Sequence, residues 1–479
     1  MVFWERKIME EYEYAIVGQG AAAFAAALKA DELGIKTVII GKNETKGTLL
    51  GGTCINVGCV PSKRLITVSS FMEELEQRRF DGLNYTIGKP DYAKIVKEKT
   101  RLVDELRKEK YKDVLQGLKN VHYINETASF VDKSTIKAGR SELNAKNVLV
   151  ATGARASIPK IEGIEKATFL TNEEALSLEK LPESLIVVGG RAVGLEFAQM
   201  FSNFGVKVTL LQRSGRIIPN WEPDVSNYLT YYLNESGIKI VTNATPTGIE
   251  TSNKRKTITA LVNGKGTTFE AEEVLFATGR RANTDSLNLS ACGVQLNEKG
   301  FIKIDKKMKT TADGIYAAGD VTGGPMLETL AAKEGNIATA NIFQQAGKEI
   351  NINEVPSAIF TYPEAAMVGM TEEQVVKCGI RCACSPLELK LVPKAKIIGD
   401  QRGLVKIVID NKTKKILGVH MLAPHAADLI HEGVLAVKFG LTIDDIIDTI
   451  HVFPTLSEGF KLSAQSFYGD VSKLSCCTV

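Results

Sequence analysis

The chain has 479 residues, of which 44% are hydrophobic and 24% charged, with a formal net charge of +3. This composition is typical of a globular protein with an ample core, and the length corresponds to about three domains of roughly 150 residues each. The near balance of charge predicts no nucleic-acid partner. Because the N-terminus lacks a signal-peptide pattern and the apolar run at 21–28 is too short to span a bilayer, we expect a cytoplasmic protein with no membrane span.

The eight cysteines are too sparse for a disulfide scaffold in a chain of this length. Their clustering indicates thiol chemistry or metal binding. They are Cys54, Cys59, Cys292, Cys378, Cys382, Cys384, Cys476 and Cys477.

The first glycine-rich turn follows a predicted buried strand at 14–17 and precedes a helix that ends near residue 33 and a strand at 37–40. In this turn Gly18 permits the tight bend, Gly20 lets the backbone approach a pyrophosphate, and the small Ala23 allows close helix packing. The phosphate is then expected at the helix N-terminus. The pattern predicts a dinucleotide-binding unit.

The segment 51–63 reads Gly-Gly-Thr-Cys-Ile-Asn-Val-Gly-Cys-Val-Pro-Ser-Lys and carries two cysteines at the start of a predicted helix. Cys54 and Cys59 are near enough to form a disulfide if the helix start is distorted, and we assign that distortion to Pro61. The helix dipole and the nearby Lys63 are expected to lower the pKa of these thiols. We favour a redox-active pair over a structural disulfide, which is rare in a reduced cytosolic chain.

A second glycine turn repeats the first unit. A strand at 185–188, the turn from Gly189 to Gly194, a helix to about 204 and a strand at 206–211 occur in the same order as before. Two such units in one chain are much stronger evidence than one, and we expect the first to bind FAD and the second a nicotinamide nucleotide.

The residues after the second strand of this unit predict NADPH rather than NADH. An acidic residue there normally binds a ribose 2′-hydroxyl, whereas arginine suits a 2′-phosphate. Gln212 and Arg213 occupy the position, with Arg216 close by, and no carboxylate opposes a phosphate. Solvated surface arginines are the alternative interpretation.

The active segment at 51–63 resembles that of the FAD-dependent pyridine nucleotide–disulfide oxidoreductases, and the resemblance extends over nearly the whole chain from Glu11. It implies an α/β fold with two Rossmann-like dinucleotide-binding domains, for FAD and NADPH, and a C-terminal α+β dimerisation domain. The expected ranges are 1–152 and 278–354 for the FAD domain, 153–277 for the NADPH domain and 355–479 for the dimer-interface domain.

The resemblance also implies which residues contact the flavin. Lys63 is expected to pair with Glu196 beside it, and Asp320, at the end of an Ile-Tyr-Ala-Ala-Gly-Asp string, is expected to bond the ribityl chain. The other expected contacts, three of which lie in Ala-Thr-Gly strings at 151–153 and 277–279, are Gly52, Thr53, Thr152, Gly153 and Gly279.

Two positions depart from the family pattern. Gly41 replaces the glutamate that the family offers to the FAD adenosine ribose, so Glu44 or the backbone is expected to substitute. Arg191 occupies the second glycine position of the NADPH turn. Its side chain must turn outward or pair with the pyrophosphate.

The C-terminal region bears on the substrate. Family members that reduce disulfides carry a histidine directly before a proline, with a glutamate five residues after it, and this histidine protonates the leaving thiolate. Here Glu458 is present but Phe453 occupies the histidine position, and His451 is a weaker candidate for the acid. Losing a general acid costs roughly 10²–10⁴-fold, whereas reduction of a thiolate-bound metal ion needs no proton at the metal. Phe453 therefore argues against an organic disulfide as substrate.

Adjacent thiols at Cys476 and Cys477 end the chain, and soft thiolates select soft metals. This ending, with Phe453, resembles the mercuric reductase branch of the family. It implies NADPH-dependent reduction of Hg(II) to Hg(0) through FAD and the Cys54–Cys59 pair, with Cys59 nearest the flavin. In a homodimer with active sites shared across the interface, the tail of one subunit is expected to take Hg(II) from small thiols and pass it to Cys54 and Cys59 of the other.

Two alternatives remain. The first is a dihydrolipoamide dehydrogenase or another NAD(P)H disulfide reductase, in which some other group replaces the missing histidine. The second is a non-catalytic thiol flavoprotein that binds metal, which would have no use for an NADPH unit. Thr455 stands where mercuric reductases often carry tyrosine. We expect His420, His425 and His431 to be interface or surface residues, and the cysteines at 378, 382 and 384 to be ordinary half-buried residues, with an auxiliary thiol site as the alternative.

Overall fold

The computed structural model describes residues 10–44, 49–252 and 255–473. The strands in these ranges are β1 (Glu10–Val17), β2 (Thr37–Ile40), β3 (Val121–Ile124), β4 (Ala128–Phe130), β5 (Thr135–Ala138), β6 (Ser141–Val150), β7 (Ala154–Ala156), β8 (Ser184–Val188), β9 (Lys207–Leu211), β10 (Lys239–Val241), β11 (Ala244–Ser252), β12 (Arg255–Val262), β13 (Lys265–Ala271), β14 (Glu273–Phe276), β15 (Arg280–Ala282), β16 (Ile315–Ala317), β17 (Ser357–Ile359), β18 (Glu364–Gly369), β19 (Cys382–Glu388), β20 (Leu404–Asp410) and β21 (Ile416–Ala423).

The helices in the same ranges are α1 (Ala21–Glu32), α2 (Gly52–Val57), α3 (Cys59–Glu76), α4 (Tyr92–Arg107), α5 (Asp113–Gly117), α6 (Asn172–Ala175), α7 (Ala192–Asn203), α8 (Pro223–Glu235), α9 (Glu328–Gln344), α10 (Glu372–Lys377), α11 (Pro393–Ile397), α12 (Ala426–Phe439), α13 (Ile443–Asp448) and α14 (Glu458–Gln465). A π-helical segment, Lys108–Lys112, joins α4 to α5. None of the helices in the described part of the chain combines the length and hydropathy that a transmembrane span requires.

The first sheet has the strand order β3-β2-β1-β6-β5-β4, with β16 beside β6. Strands β3, β2, β1, β6 and β16 are parallel, whereas β5 pairs antiparallel with β6 and β4 pairs antiparallel with β5. Strand β2 is buried along its whole length, as a parallel strand covered on both faces should be. Helix α1 packs closely on α9 because its buried face consists mainly of alanine, and a Cβ at Gly335 of α9 would lie 2.1 Å from the carbonyl oxygen of Ala22.

The second sheet is parallel, with the order β10-β9-β8-β14, and it carries the second glycine turn between β8 and α7. An antiparallel sheet of β11, β12 and β13 follows it in the chain. Strands β7 and β15 pair antiparallel through Arg280 and Ala156, next to the two Ala-Thr-Gly strings. The chain therefore enters and leaves this second unit at one place.

The C-terminal unit is an antiparallel sheet in the order β17-β18-β21-β20-β19. Helix α12 packs on β18 and β21, and α14 packs on β19 and β20. Three helices, α12, α13 and α14, follow the last strand in this part of the described chain. The predicted fold class, two dinucleotide-type α/β units followed by an α+β unit, is confirmed.

The prediction that His420 is an interface or surface residue is wrong. His420 lies on β21 with no exposed surface, whereas His425 and His431 are exposed. Alternation along β21 turns His420 toward the part of the sheet that α8 covers, so it is an interior residue.

Candidate active site

A break in one helix positions the two cysteines. Cys54 lies in α2, Cys59 is the first residue of α3, and Gly58 between them has φ −126° and ψ −115°. A side chain at Gly58 would crowd the carbonyl oxygen of Thr53 at 2.9 Å. The interruption is therefore at Gly58, and its assignment to Pro61 is wrong. Pro61 is in the first turn of α3, where backbone N–H groups lack helical partners and proline costs nothing.

The two thiols lie together with a carboxylate that the sequence did not reveal. The ligand atoms of Cys54, Cys59 and Glu328 all lie within 4.8 Å of one another. Glu328 is the first residue of α9, it accepts a hydrogen bond of 3.3 Å from the hydroxyl of Tyr111, and burial raises its pKa. Its position depends on the packing of α9, so the only sequence signal was its place at a helix start after the Gly-Gly-Pro string at 323–325.

The electrostatic prediction for the cysteines is wrong in sign for Cys59. Burial raises the pKa of the Cys59 thiol, the Lys63 ammonium lowers it in part, and the Glu196 carboxylate raises it further. The surrounding protein removes water from most sides of the sulfur, although part of the side chain is still exposed to solvent. Because Lys63 is already paired, its charge does not overcome this desolvation.

The predicted ion pair between Lys63 and Glu196 is present. The Lys63 ammonium donates to the Glu196 carboxylate at 2.8 Å, and the Glu196 side chain is only 4% exposed. The other Glu196 oxygen accepts from the backbone N–H of Phe360 at 3.0 Å, and the ring of Phe360 lies under the ammonium at 4.6 Å. The pair thus connects the cysteine helix, the second glycine unit and the C-terminal unit.

The first glycine turn forms a narrow cradle that fits FAD. Gly18 has φ +129°, and a Cβ there would lie 2.2 Å from the carbonyl oxygen of Ala151. Gly52 approaches Gly20 so closely that a Cβ on it would lie 2.8 Å from the Gly20 Cα. The cradle brings the cysteine segment next to the helix N-terminus at which a pyrophosphate binds. Ala23 is fully buried behind it.

The remaining predicted FAD residues flank this cradle. Gly153 and Gly279 have positive φ and open space beside them, and Thr152 donates its hydroxyl to the carbonyl oxygen of Asn283 at 2.8 Å. Thr53 accepts a hydrogen bond of 3.3 Å from the guanidinium of Arg280. The Thr152 hydroxyl is therefore engaged in a hydrogen bond within the protein, whereas Gly153 and Gly279 leave room for a ligand.

Asp320 lies in a polar group that the sequence revealed only in part. Burial raises the pKa of its carboxyl, and the Arg280 guanidinium at 3.5 Å lowers it. The Nε of Arg280 is buried and has no hydrogen-bond partner among the described residues. Glu334 accepts the backbone N–H of Gly319 at 2.6 Å, and burial raises the pKa of Glu334 to about 7. An unpartnered donor beside a buried carboxylate indicates a polar ligand, which fits the flavin side chain.

Gln19 occupies the space that the unusual Gly41 leaves. A Cβ at Gly41 would lie 2.7 Å from the Gln19 side-chain oxygen, which accepts a hydrogen bond of 2.6 Å from Tyr123. Glu44, suggested above as a substitute ligand, forms an ion pair with Lys42. The Gln19–Tyr123 pair therefore forms the end of the cradle where the family carries glutamate.

The second glycine turn has the same construction. A Cβ at Gly189 would meet the carbonyl oxygen of Ala277 at 2.3 Å, and one at Gly194 would meet that of Gly189 at 1.8 Å. Arg191 is the N-cap residue of α7, and its side chain is exposed, so it turns outward, which is one of the two expected arrangements. Gln212 is buried and accepts the backbone N–H of Gly190 at 2.9 Å, which fixes the turn.

The two arginines after this turn, Arg213 and Arg216, differ in their exposure and hydrogen bonds. Arg213 is exposed and forms no ion pair with a described carboxylate. Arg216 donates to the carbonyl oxygen of Pro219 at 2.6 Å and to that of Trp221 at 3.3 Å, so it holds its own loop. Of the two, only Arg213 presents a free guanidinium.

At the C-terminal end, Phe453 is 51% exposed and has no acid–base function. Glu458 accepts the backbone N–H of Thr455 at 3.3 Å, and Thr455 donates its hydroxyl to the carbonyl oxygen of Val452 at 2.8 Å. His451 lies 2.7 Å from the Glu432 carboxylate. The predicted metal-binding thiols Cys476 and Cys477 lie outside the described residues.

These features define a class of enzyme. One cradle fits FAD and adjoins a cysteine pair, and a second, matching turn fits a nicotinamide nucleotide. Such an arrangement belongs to an oxidoreductase that exchanges electrons between a nicotinamide nucleotide and a dithiol through a flavin.

Comparison with known proteins agrees with this class. Residues 12–335 match the pyridine nucleotide-disulphide oxidoreductase family and residues 355–464 match its dimerisation domain. The chain is 42% identical to a mercuric reductase from Lysinibacillus sphaericus, over 98% of this chain and 85% of that protein. It is 40% identical to a mercuric reductase from Bacillus cereus, over 98% of this chain and 73% of that protein.

A solved structure gives the same result. The Cu(II) complex of the HOCl-induced flavoprotein disulfide reductase RclA from Escherichia coli superposes with a TM-score of 0.85 at 28% identity, covering 96% of this chain and all of that one. The chain belongs to the pyridine nucleotide-disulphide oxidoreductase family. This membership confirms the predicted FAD and NADPH cofactors and the homodimer.

Proposed function

We propose that this enzyme reduces Hg(II) to Hg(0) with NADPH, through FAD and the Cys54–Cys59 pair, and thereby detoxifies mercury. The proposal rests on one combination of features. Two thiols lie beside the FAD cradle, and the apolar residue Phe453 occupies the position of the proton donor. The similarity to mercuric reductases over 98% of the chain supports it.

The overall reaction balances without an additional reactant. NADPH gives up two electrons and one proton and becomes NADP⁺, and Hg(II) takes both electrons and becomes Hg(0). The cradle at Gly18, Gly20 and Gly52 would hold FAD, which would supply two-electron transfer between NADPH and the cysteine pair. The substrate contains no sulfur–sulfur bond. When Hg(0) forms, its bonds to the Cys54 and Cys59 sulfurs break and those sulfurs stay on the protein, so the reduction step releases no substrate thiolate that needs a proton at the position of Phe453.

The residues of the chain hold and orient the reacting sulfurs. The break at Gly58 lets Cys54 and Cys59 face one ion, since their sulfurs and the Glu328 carboxylate lie within 4.8 Å of one another. Two thiolates are a favoured ligand set for a soft cation. Lys63, fixed by Glu196, keeps a positive charge near Cys59 and favours its thiolate form.

Substrate delivery is assigned to the C-terminal tail and to the dimer. We propose that Cys476 and Cys477 of one subunit take Hg(II) from small thiols and pass it to Cys54 and Cys59 of the other. Large apolar side chains of the C-terminal unit are exposed, which supports a partner surface there; they are Leu435, Phe439, Ile450 and Val452. A cytoplasmic location fits the NADPH supply and the free thiols.

The nucleotide preference rests on Arg213. Its exposed guanidinium lies after β9, where a 2′-phosphate is recognised in this type of fold. Gln212 is neutral and is engaged by Gly190, so nothing at this position repels the phosphate. We propose that Arg216 contributes indirectly, because its hydrogen bonds shape the loop.

The test is a comparison of substrates. The purified flavin-loaded protein should oxidise NADPH with Hg(II) in excess thiol and should do so weakly or not at all with lipoamide, glutathione disulfide and thioredoxin. Robust turnover of a disulfide with none of Hg(II) would reject the proposal. A protein that binds mercury without oxidising NADPH would support the non-catalytic alternative.

One observation favours the disulfide reductase alternative. His451 pairs with Glu432 at 2.7 Å, a histidine–carboxylate pair close to the position where the family places its proton donor. If this pair replaces the missing acid, lipoamide reduction should be measurable and should fall on the order of 10²-fold in His451→Gln. Hg(II) reduction in the same variant should not change.

A further inference from the structure

A second group of two cysteines and a glutamate lies far along the chain from the active site. The ligand atoms of Glu372, Cys382 and Cys384 lie within 4.8 Å of one another. The group belongs to the C-terminal unit, with the cysteines on β19 and the glutamate at the start of α10. The active-site description uses none of these residues.

The local fold aims these three side chains at one point. Cys382 and Cys384 are two residues apart on a strand, so both project from the same face of the sheet. β19 is the edge strand, and its pairing with β20 sets Cys384 opposite Val408. Glu372 is held at the first position of α10 by the capping box between Thr371 and Gln374.

The charges around the group leave room for a divalent cation. The buried Lys406 ammonium lies 2.8 Å from Glu222, 2.9 Å from Asp224 and 3.2 Å from Glu372. Three carboxylates share one ammonium, which leaves an excess of two negative charges. His420, beside Lys406 in the sheet, does not compensate, because burial lowers its pKa and its Nδ1 has no partner among the described residues.

This excess of negative charge also affects the pKa of the Cys384 thiol. Burial raises the pKa of Cys384, the charge of Glu372 raises it further, and Lys406 lowers it in part. Proton-for-metal exchange is the usual route by which such sites load.

We propose that Cys382, Cys384 and Glu372 form a binding site for a thiophilic divalent cation, separate from the redox pair. Two thiolates and one carboxylate suit Zn(II), Cd(II) or Hg(II), with solvent or a small thiol in a fourth position. Bonds of about 2.3 Å at tetrahedral angles bring two sulfurs to roughly 3.8 Å, so the observed spacing requires only small side-chain movements. Loading releases the two thiol protons and involves no electron transfer.

The proposed site is accessible to solvent on one side and is held by an ion pair on the other. The Glu372 side chain is 50% exposed, so an ion has access from solvent, while its contact with Lys406 ties it to Glu222 and Asp224 at the start of α8. A bound cation would therefore connect β19, α10 and the second glycine unit. It would be held without being reduced, because this group does not adjoin the FAD cradle.

Cd(II) is the appropriate probe, because it binds thiolates and NADPH does not reduce it to the metal. The flavin-loaded, full-length protein is used with Cys54, Cys59, Cys476 and Cys477 all replaced by serine, so that the catalytic thiols are absent. This protein should retain one Cd(II) per chain in equilibrium dialysis at micromolar free metal, with thiolate-to-cadmium absorbance in the ultraviolet. Adding Cys382→Ser and Cys384→Ser should abolish both signals, and adding Glu372→Gln should weaken binding at least about tenfold.

Cys378→Ser is the matched control, because Cys378 is exposed at the end of α10 and is not part of the group. It should leave Cd(II) retention unchanged. No retained Cd(II) in the starting variant, or equal retention without Cys382 and Cys384, would overturn the proposal.

A second measurement needs no substitution in the group itself. In the starting variant Cd(II) should protect Cys382 and Cys384 from alkylation by iodoacetamide, as read by peptide mass spectrometry, and should leave Cys378 reactive. Equal alkylation of Cys382 and Cys384 with and without Cd(II) would contradict the site even if the serine variants fail to fold.

Discussion

Two regions of the molecule each bring two cysteines and one glutamate within 4.8 Å, and their surroundings give them different chemistry. The first, Cys54 and Cys59 with Glu328, adjoins the FAD cradle through the contact of Gly52 with Gly20. The second, Cys382 and Cys384 with Glu372, lies on an edge strand beside an excess of carboxylates. We propose that the first pair of thiols serves electron transfer and that the second group binds an ion.

The placement of each thiol pair in the fold determines its chemical surroundings. The helix break at Gly58 sets one pair beside a flavin and beside Lys63, whose charge Glu196 holds. Strand alternation sets the other pair beside Lys406, whose charge three carboxylates outweigh. The first pair adjoins the FAD cradle through the contact of Gly52 with Gly20, so bound FAD would give it an electron donor.

Replacing the thiols of each region in turn tests directly whether the two regions have different roles. Cys54→Ser or Cys59→Ser should lower NADPH-dependent Hg(II) turnover by on the order of 10³-fold or more, because electrons lose their path to the metal. The double variant Cys382→Ser/Cys384→Ser, measured in the same assay, should stay within about twofold of the unsubstituted protein. A large loss in the second variant would place the second region in the reaction.

A second change cuts the electron supply and leaves the thiols in place. Gly194→Ala puts a methyl group 1.8 Å from the carbonyl oxygen of Gly189, so the second turn must deform. NADPH oxidation should fall roughly 10²-fold, while the flavin stays bound and Hg(II) still binds to Cys54 and Cys59. Gly266→Ala, in the same unit but with no atom within 4 Å of the added Cβ, is the control and should behave like the unsubstituted protein.

A smaller effect is expected for the nucleotide phosphate. Arg213→Ala should raise the KM for NADPH by at least about tenfold, with little change in kcat, because a charge-assisted contact to phosphate is worth about 1.5–3 kcal/mol. The KM for NADH should not change. Equal effects on both nucleotides would mean that Arg213 does not distinguish them.

The smallest and most specific change is in the pH dependence of the redox pair. The Lys63 ammonium lowers the pKa of Cys59 and the Glu196 carboxylate raises it, so the two substitutions should act in opposite directions. Lys63→Met should move formation of the Cys59 thiolate to higher pH, and Glu196→Gln should move it to lower pH. The measurement is the pH titration of the thiolate-to-flavin absorbance in the two-electron-reduced enzyme, and shifts of the same sign would contradict this assignment.

Much of the fold could be predicted because its requirements are local. Gly18 and Gly189 must be glycine since each has a positive φ and faces a carbonyl oxygen at the end of the neighbouring strand. Such needs appear in a few consecutive residues, and both turns could be located without any structure. The strand, turn and helix order of each unit follows for the same reason.

The features that the sequence did not predict correctly depend on contacts between distant segments. Glu328 reaches the cysteines through the packing of α9, and His420 is buried because α8 covers its sheet. Burial also decided the pKa of Cys59, whereas sequence reasoning weighed only the helix end and the nearest cation. Pairing of Lys63 with Glu196 was foreseen only through the family resemblance.

In the proposed function, the electrons of NADPH leave the enzyme on mercury. The direct test is the amount of Hg(0) vapour released per NADPH oxidised, measured without oxygen in excess thiol. We expect one Hg(0) for each NADPH, since each step carries two electrons. NADPH consumption with little or no Hg(0) would contradict it and would identify another acceptor.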